Sequence, residues 1–220
     1  MKFSIKAAAL VTTFLAAFSS NADVISTYDI DFATADLEAH QQNSSSTYDV
    51  YTNGVLNLRE NAWVTLNLFD TFGISELDLD NGATSYNFTF DIRVLPGVRN
   101  PNPNPFTEIA GVWFADFTSG EQSHDASRTF NLAGTQNFGI QDLVYTNAPR
   151  WETFSINLDD YFSGVITDIV FINDCDLNAG CGDMKTRFRN ASITEVSEPG
   201  AMSLILLGMG LMGWRARRQK

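Results

Sequence analysis

YNFTFDIRV, residues 86–94, alternates apolar and polar side chains without a break. A period of two residues is that of a β-strand with one face in a core and the other in solvent. Weaker forms of the pattern predict further strands at residues 55–59, 63–68, 109–117, 129–132, 152–158, 165–172 and 186–193. About nine strands at this spacing, separated by turn sequences such as Asn53-Gly54, predict an all-β fold. We expect an antiparallel β-sandwich, with a jelly roll as the favoured topology; the one stretch with a helical pattern is residues 33–41.

The first 22 residues have the pattern of a secretory signal peptide. Lys2 and Lys6 make the start positive, residues 7–18 are mostly apolar, and Ser20-Asn21-Ala22 offers a small-residue cleavage site before Asp23. We therefore expect signal peptidase to remove residues 1–22 and the rest of the chain to be exported across the inner membrane.

The C-terminal end contains a short apolar segment. Residues 201–214 are mostly apolar, and these 14 residues would span about 21 Å as a helix, against about 30 Å for a bilayer core. Arg215, Arg217 and Arg218 follow, and such cations favour a cytoplasmic C-terminus. The sequence predicts a short transmembrane helix here.

Ser197-Glu198-Pro199, the apolar run and the basic cluster together resemble the PEP-CTERM sorting signal of exported Gram-negative proteins. Glu198 and Pro199 match the usual Pro-Glu-Pro, and Ser197 departs from it at the first position. The resemblance covers residues 197–220 and implies a transient membrane anchor that an exosortase processes. It further implies release to the cell surface or an extracellular matrix.

Between these ends, residues 23–196 are predicted to form a single domain. Eight of the 14 basic residues and all 26 acidic residues lie between Asp23 and Glu198, so the exported part carries a formal charge of −18. This charge repels nucleic acid and anionic lipid, and it suits solubility or cation binding outside the cell. We therefore expect no nucleic-acid partner.

Several short segments resemble accessory β-sandwich modules of secreted bacterial polysaccharide-active enzymes. They are residues 111–116, 129–140, 151–158 and 188–193. The resemblance implies a carbohydrate-binding-like jelly roll and an exopolysaccharide partner, without locating a sugar site. Trp113 and Phe138 are the candidate ligand-binding rings, whereas Trp63 and Trp151 are expected to fill the core.

Cys175 and Cys181 are the two cysteines of an exported chain, which favours a disulfide between them. Closing so small a loop would add about 2 kcal/mol of stability in the chain-entropy model. The alternatives fit less well, because two thiols without a nearby histidine make a poor zinc site and the spacing is not that of a C-x-x-C redox motif.

In the same loop, Asp174, Asp176 and Asn178 occupy the first three oxygen-ligand positions of a calcium loop. An EF-hand is excluded, since Ala179 replaces the turn glycine and Lys185 the bidentate glutamate. Structural calcium on a disulfide-pinned loop is one reading, and a solvated acidic turn is the favoured one.

Catalytic motifs do not stand out. His40 and His124 lie in polar stretches without a nucleophile elbow or a zinc-protease motif. The sequence predicts a non-enzymatic surface or matrix protein that contacts polysaccharide. The alternatives are a secreted polysaccharide-active hydrolase and a purely structural surface protein without a small ligand.

Overall fold

The computed structural model describes residues 22–39, 47–95, 107–119, 124–175 and 184–197. Nearly all regular structure in these ranges is β-strand, as the alternating sequence predicts. The strands are β1 (Val24–Ile30), β2 (Leu37–Ala39), β3 (Thr47–Tyr51), β4 (Val55–Arg59), β5 (Ala62–Asn67), β6 (Leu77–Asp78), β7 (Thr84–Leu95), β8 (Ile109–Ala115), β9 (Thr129–Asn131), β10 (Glu152–Asn157), β11 (Val165–Ile166), β12 (Asp168–Asp174) and β13 (Lys185–Ser197).

Two antiparallel sheets pack face to face. The six-stranded sheet has the order β10-β7-β13-β4-β3, and β1 pairs with the C-terminal part of β13. The five-stranded sheet has the order β2-β5-β12-β8-β9, and β6 pairs with β11 in a small separate sheet. The predicted antiparallel β-sandwich is confirmed, and the jelly-roll topology stays a prediction.

Phenylalanine side chains fill the space between the sheets. The alternation of β7 turns Phe88 and Phe90 inward, and both are completely buried. The Phe88 ring meets Phe114 of the opposite sheet edge-on, with centroids 5.4 Å apart. Phe171 and Phe188 make a second contact between the sheets at 5.0 Å. Such aromatic pairs add stability beyond the area that they bury.

The chain departs from the sequence prediction at one helical element and one strand end. Residues 33–41 were expected to be helical, but a single turn begins there, held by the Asp31 carboxylate, which accepts a hydrogen bond from the Ala33 amide. β2 then pairs with β5 instead of continuing a helix. The strand predicted at 63–68 ends at Asn67, whose side chain accepts from the Asp70 amide and caps a short helix, α1 (Leu68–Phe72).

β8 and β12 are buried along their whole length, on both faces. Trp63 of β5 and Trp113 of β8 lie on the outer face of the five-stranded sheet, and both are buried there with Val170 and Ile172 of β12. A strand buried on both faces reads as a continuous apolar run rather than as an alternating one. The outer face of this sheet is therefore a second apolar layer.

The two ends of the described domain lie side by side. β1 pairs with β13 so that Val24 is opposite Val196. The Ser197 amide donates to the Asp23 carbonyl at 2.8 Å, and the Asp23 amide donates to the Ser197 hydroxyl at 3.0 Å. The predicted signal-peptide cleavage point and the start of the predicted sorting signal are thus neighbours at one corner of the six-stranded sheet.

Candidate binding surface

The outer face of the six-stranded sheet carries most of the positive charge of the domain. Seven Lys and Arg residues lie in the described ranges, and five of them point outward from three adjacent strands of this sheet. These five define the arginine face: Arg59 on β4, Arg93 on β7, and Lys185, Arg187 and Arg189 on β13. Each is partly exposed. A local cluster of cations therefore stands on a domain whose overall charge is strongly negative.

The strand register sets cations opposite cations. Arg187 of β13 is the cross-strand partner of Arg93 of β7, and Lys185 is the partner of Arg59 of β4. Like charges directly opposite each other on one face destabilise a sheet. The arginine face thus contains two unfavourable pairs.

Two carboxylates lie on this part of the face, and each pairs with an arginine. Asp49 forms an ion pair with Arg59. Asp91 is 8% exposed, and its Oδ2 accepts from Arg189 Nε at 3.0 Å and from Asn190 Nδ2 at 2.8 Å. Thr153 Oγ1 donates to the other oxygen at 2.6 Å. Among the described residues, Arg93, Lys185 and Arg187 form no ion pair with a carboxylate.

Local hydrogen bonds orient the remaining arginines. Arg93 Nε donates to the Pro149 carbonyl at 2.6 Å, and Arg187 Nε donates to Asn57 Oδ1 at 2.8 Å. A guanidinium has five N–H donors, so each of these groups keeps donors for a further acceptor.

Aromatic rings flank the cations on both sides. The Arg189 guanidinium lies over the Trp151 ring, 4.2 Å from its centroid, and that of Arg187 lies 5.4 Å from the Tyr51 centroid. Trp151 was expected to fill the core, but it is only half-buried beside Arg189. Tyr51 is 37% exposed. Two rings and two guanidinium groups are therefore presented together on one surface.

The loop before β10 holds Trp151 in place. The Tyr145 hydroxyl donates to the Arg150 carbonyl at 2.7 Å and accepts from the Val94 amide at 3.2 Å. Burial raises the pKa of Tyr145 above its ordinary value. Glu152 Oε2 accepts from the Thr146 and Asn147 amides at 2.9 and 3.1 Å. These bonds fix the loop against the end of β7, next to Arg93.

Beyond a β-bulge in β13, the same outer face is polar and uncharged along β7 and β10. The register shifts between Arg189 and Ser192, where Asn190 adopts φ of 50°. Past this point, the Ser155 hydroxyl contacts the Asn87 amide at 2.8 Å and the Thr89 hydroxyl at 3.2 Å. The bulge separates a charged half of the face from a half rich in hydroxyl and amide groups.

The two rings predicted to bind a ligand lie on the other sheet. Trp113 is 0% exposed and packs against Phe117 and His124, with ring centroids 5.4 and 5.2 Å away. Phe138 is half-buried against His124 at 4.6 Å. A ring with no solvent-facing surface cannot stack on a sugar in this conformation, so Trp113 occupies a core position and not an exposed platform. The ligand role of Phe138 stays a prediction.

The predicted calcium and disulfide loop lies largely outside the described residues. Asp174 ends β12 with its side chain buried, and its Oδ1 accepts from Trp63 Nε1 at 3.4 Å. Asp176, Asn178 and Cys181 lie outside the described ranges. Within the described ranges, no group of three or more potential metal ligands is found. Cys175 is buried there and is not a free cysteine. The calcium site and the Cys175–Cys181 bridge both stay predictions.

One buried carboxyl lies at the start of β12. Asp168 is 3% exposed, and burial raises its pKa above the ordinary value. Asn67 Nδ2 and Thr167 Oγ1 donate to its two oxygens at 2.8 and 2.5 Å, which opposes that rise. This group belongs to the five-stranded sheet and not to the arginine face.

The C-terminal end of the chain matches a known protein-sorting motif. Residues 195–219 match the PEP-CTERM protein-sorting motif. This match implies processing by an exosortase, export and sorting to the cell surface. No curated protein matches the chain. Of the motif, Ser197 is described at the end of β13, whereas Glu198, Pro199 and the tail with Arg215, Arg217 and Arg218 lie outside the described ranges.

The transmembrane helix predicted at residues 201–214 also falls outside those ranges. The helices within the described part of the chain are too short or too polar to cross a membrane.

Sequence reasoning missed the arginine face. The signal was present as KTRFR, residues 185–189, where three basic residues alternate with Thr186 and Phe188. In a strand this spacing places all three cations on one face. The pairing with β4 and β7, which adds Arg59 and Arg93, is long-range information that the local sequence does not hold.

Proposed function

We propose that this chain is an exported surface or matrix protein, transiently anchored by its C-terminus, that contacts extracellular polysaccharide through the arginine face. The observation that carries the proposal is the set of cations flanked by Trp151 and Tyr51 on the outside of the sandwich. Aromatic rings and planar guanidinium groups on one sheet surface suit a polymer of rings and hydroxyl groups. The sorting motif supports the extracellular location in which such a polymer is met.

We propose a binding role without catalysis. The two carboxylates on the face, Asp49 and Asp91, are each engaged with an arginine. A glycosidase requires one carboxyl group that can protonate the leaving oxygen and another that attacks or activates water. Both carboxylates are already bonded to arginine side chains, an arrangement that suits positioning the arginines better than reacting with a substrate.

The anchor belongs to the same proposal. The start of the sorting signal, Ser197, is paired with Asp23, so the domain would be tethered from one corner. Replacing Glu198 by Ala should leave unprocessed protein in the inner membrane, because Glu198 is one of the two residues that match the Pro-Glu-Pro motif that an exosortase recognises. Fractionation and intact-mass measurement check this, and mature surface protein that retains Trp214 would contradict it.

The binding role is tested by co-sedimentation of the full chain, solubilised in nonionic detergent, with insoluble extracellular polysaccharide. We expect retention that falls in Trp151→Ala and stays in Trp214→Ala, the matched change outside the domain. Release of reducing sugar during the incubation would support the hydrolase alternative. Absence of retention on every polysaccharide would support the purely structural alternative.

A further inference from the structure

We propose that the arginine face binds an acidic polysaccharide, whose sugar units carry carboxylate or sulfate groups. This inference rests on the proposed function, because it names the class of polymer that the same surface would take. It commits to a charged ligand where the proposed function requires only a polysaccharide.

The first argument is the distribution of charge. The exported part carries a formal charge of −18, yet five of the seven described cations lie on one face of one sheet. Within the arginine face, two carboxylates, Asp49 and Asp91, accompany them, which leaves an excess of three positive charges there; Asp29 of β1, opposite Ser192, is a further carboxylate on the outer side of this sheet beyond the bulge. Locally complementary potential attracts and orients a charged partner even when the rest of the surface repels it.

The second argument is the strand register. Arg93 lies opposite Arg187, and Arg59 lies opposite Lys185. Each like-charge pair weakens the free sheet. An oxyanion placed between two cations on adjacent strands, about 4.8 Å apart, would turn repulsion into two attractions. Anion binding therefore relieves an unfavourable arrangement that is built into the pairing of β13 with its neighbours.

The third argument is the preorganisation of the donors. Four of the five cations are arginines, whose planar fork matches the two oxygens of a carboxylate and the oxygens of a sulfate. Trp151 lies against Arg189, and Asn57 and Tyr51 contact Arg187. Guanidinium groups already held by neighbours lose less freedom when they bind an anion.

The spacing of the cations distinguishes a polysaccharide from nucleic acid. Lys185, Arg187 and Arg189 alternate along β13, which puts successive charges about 6.7 Å apart. Duplex DNA carries one negative charge per ~1.7 Å of its axis. A polymer with so high a charge density would be repelled strongly by the negative charge of the rest of the domain. A polymer with about one charge per sugar unit fits the row with less repulsion elsewhere. Beyond the bulge, Asn87, Thr89 and Ser155 of β7 and β10 offer hydroxyl and amide partners for the sugar rings.

The test compares four polymers on the full chain in nonionic detergent: polygalacturonate, dextran sulfate, neutral dextran and duplex DNA. Affinity is measured by biolayer interferometry on the immobilised polymers. We expect polygalacturonate, dextran sulfate or both to bind more tightly than neutral dextran and DNA. Binding should weaken as ionic strength rises from about 0.05 M to about 0.5 M, since the partly exposed charges are then screened.

Three variants assign the binding to the arginine face. Lys185→Gln and Arg187→Gln should each weaken acidic-polymer binding by about threefold, the size expected for one partly exposed ion pair. Arg187→Lys keeps the charge but loses the planar fork, so it should weaken binding less than Arg187→Gln does. The matched control is Arg128→Gln, which removes the same charge beside Phe162, away from this sheet. The basic tail is common to all variants, so differences between them report the face.

The outcomes separate the two proposals. Equal binding of neutral and acidic polymers, unaffected by Lys185→Gln, overturns the acidic-polymer inference and leaves the proposed function standing. Tighter binding of DNA also overturns it. Failure to bind any polysaccharide overturns both. Lys185 forms no hydrogen bond or ion pair with another described side chain, so Lys185→Gln keeps the test informative if Arg187→Gln disturbs the sheet.

Discussion

The two sheets share one core, but their outer faces are opposite in character. The five-stranded sheet buries Trp63, Trp113, Val170 and Ile172 on its outer side, whereas the six-stranded sheet presents arginines, hydroxyl groups and amides. The difference follows from the strands: β8 and β12 are apolar on both faces, and β7 and β13 alternate. One outer face of the sandwich is therefore covered by apolar side chains, and the other presents polar and charged groups to solvent.

The largest expected effect comes from replacing one tryptophan on each outer face by alanine and comparing the two losses of stability. Trp113→Ala removes a fully buried ring and should lower the free energy of unfolding by about 3–5 kcal/mol. Trp151→Ala removes a half-buried ring whose described partner is the Arg189 guanidinium, and should cost about 1 kcal/mol. Urea unfolding of both variants measures the difference. Equal losses would show that the two outer faces are packed alike.

The two carboxylates of the arginine face should also differ in how much stability they contribute, with the buried one contributing more. Asp91→Ala removes a mostly buried carboxylate that accepts hydrogen bonds from Arg189, Asn190 and Thr153, and should cost about 2 kcal/mol. Asp49→Ala breaks the exposed pair with Arg59, and should cost about 0.5 kcal/mol. Thermal or urea unfolding checks both values. A larger loss of unfolding free energy for Asp49→Ala than for Asp91→Ala would mean that the hydrogen bonds of Asp91 do not stabilise the arginine face.

Asp168 provides a pH-dependent test of the covered sheet. Burial raises its pKa in the folded state, so the native protein holds this proton to higher pH than the unfolded chain does. The group therefore favours folding at acidic pH, and that stability is lost as pH rises through the folded pKa. Asp168→Asn keeps an acceptor for Asn67 and removes the buried charge.

We expect Asp168→Asn to melt at a higher temperature than wild type at pH 7, with the gap closing near pH 4, the ordinary range of this carboxyl. Melting curves across this range measure the effect. Asp160→Asn, a change in the exposed stretch after β10, is the control and should leave the pH profile as it is. A gap that widens at acidic pH would reverse the sign and contradict this reading.

The smallest effect concerns repulsion within the arginine face. Lys185→Gln removes the charge opposite Arg59, so it should raise the free energy of unfolding by about 0.3 kcal/mol at low salt. Added salt should abolish the gain, because screening already weakens the repulsion. Paired urea titrations at two ionic strengths resolve a change of this size. A loss of stability at low salt would mean that the like-charge pair is not unfavourable.

The alternating sequence made the sandwich predictable, whereas the arginine face depends on long-range strand pairing and was not predicted. Residues 86–94 alternate so regularly that their strand and its inward phenylalanines follow from the sequence. The burial of Trp113, a candidate ligand-binding ring, could not be predicted, because local sequence does not tell which apolar face of β8 is covered from outside the sheet. The pairing of Arg187 with Arg93 joins residues that are far apart in the chain, so only the sheet order reveals it.

The end of the chain shows the reverse situation. Ser197-Glu198-Pro199 and the basic tail were predicted from local sequence as a sorting signal, and the motif match to residues 195–219 confirms it. A linear signal needs no partner from elsewhere in the fold, and for that reason sequence alone was sufficient. The same sequence placed the disulfide and calcium sites at residues 174–181, and these stay predictions.

Lys185 allows the central claim to be tested at a single atom. It is the only lysine between Asp23 and Ser197, and it lies on the arginine face beside Arg59. Acetic anhydride, an uncharged reagent, acetylates its amine in the full chain, and mass spectrometry of the resulting peptides reads the rate. Saturating polygalacturonate should slow acetylation of Lys185 in proportion to the bound fraction, while neutral dextran should not. An unchanged acetylation rate at Lys185, on a chain shown to be fully bound to polygalacturonate, would contradict the assignment of binding to the arginine face.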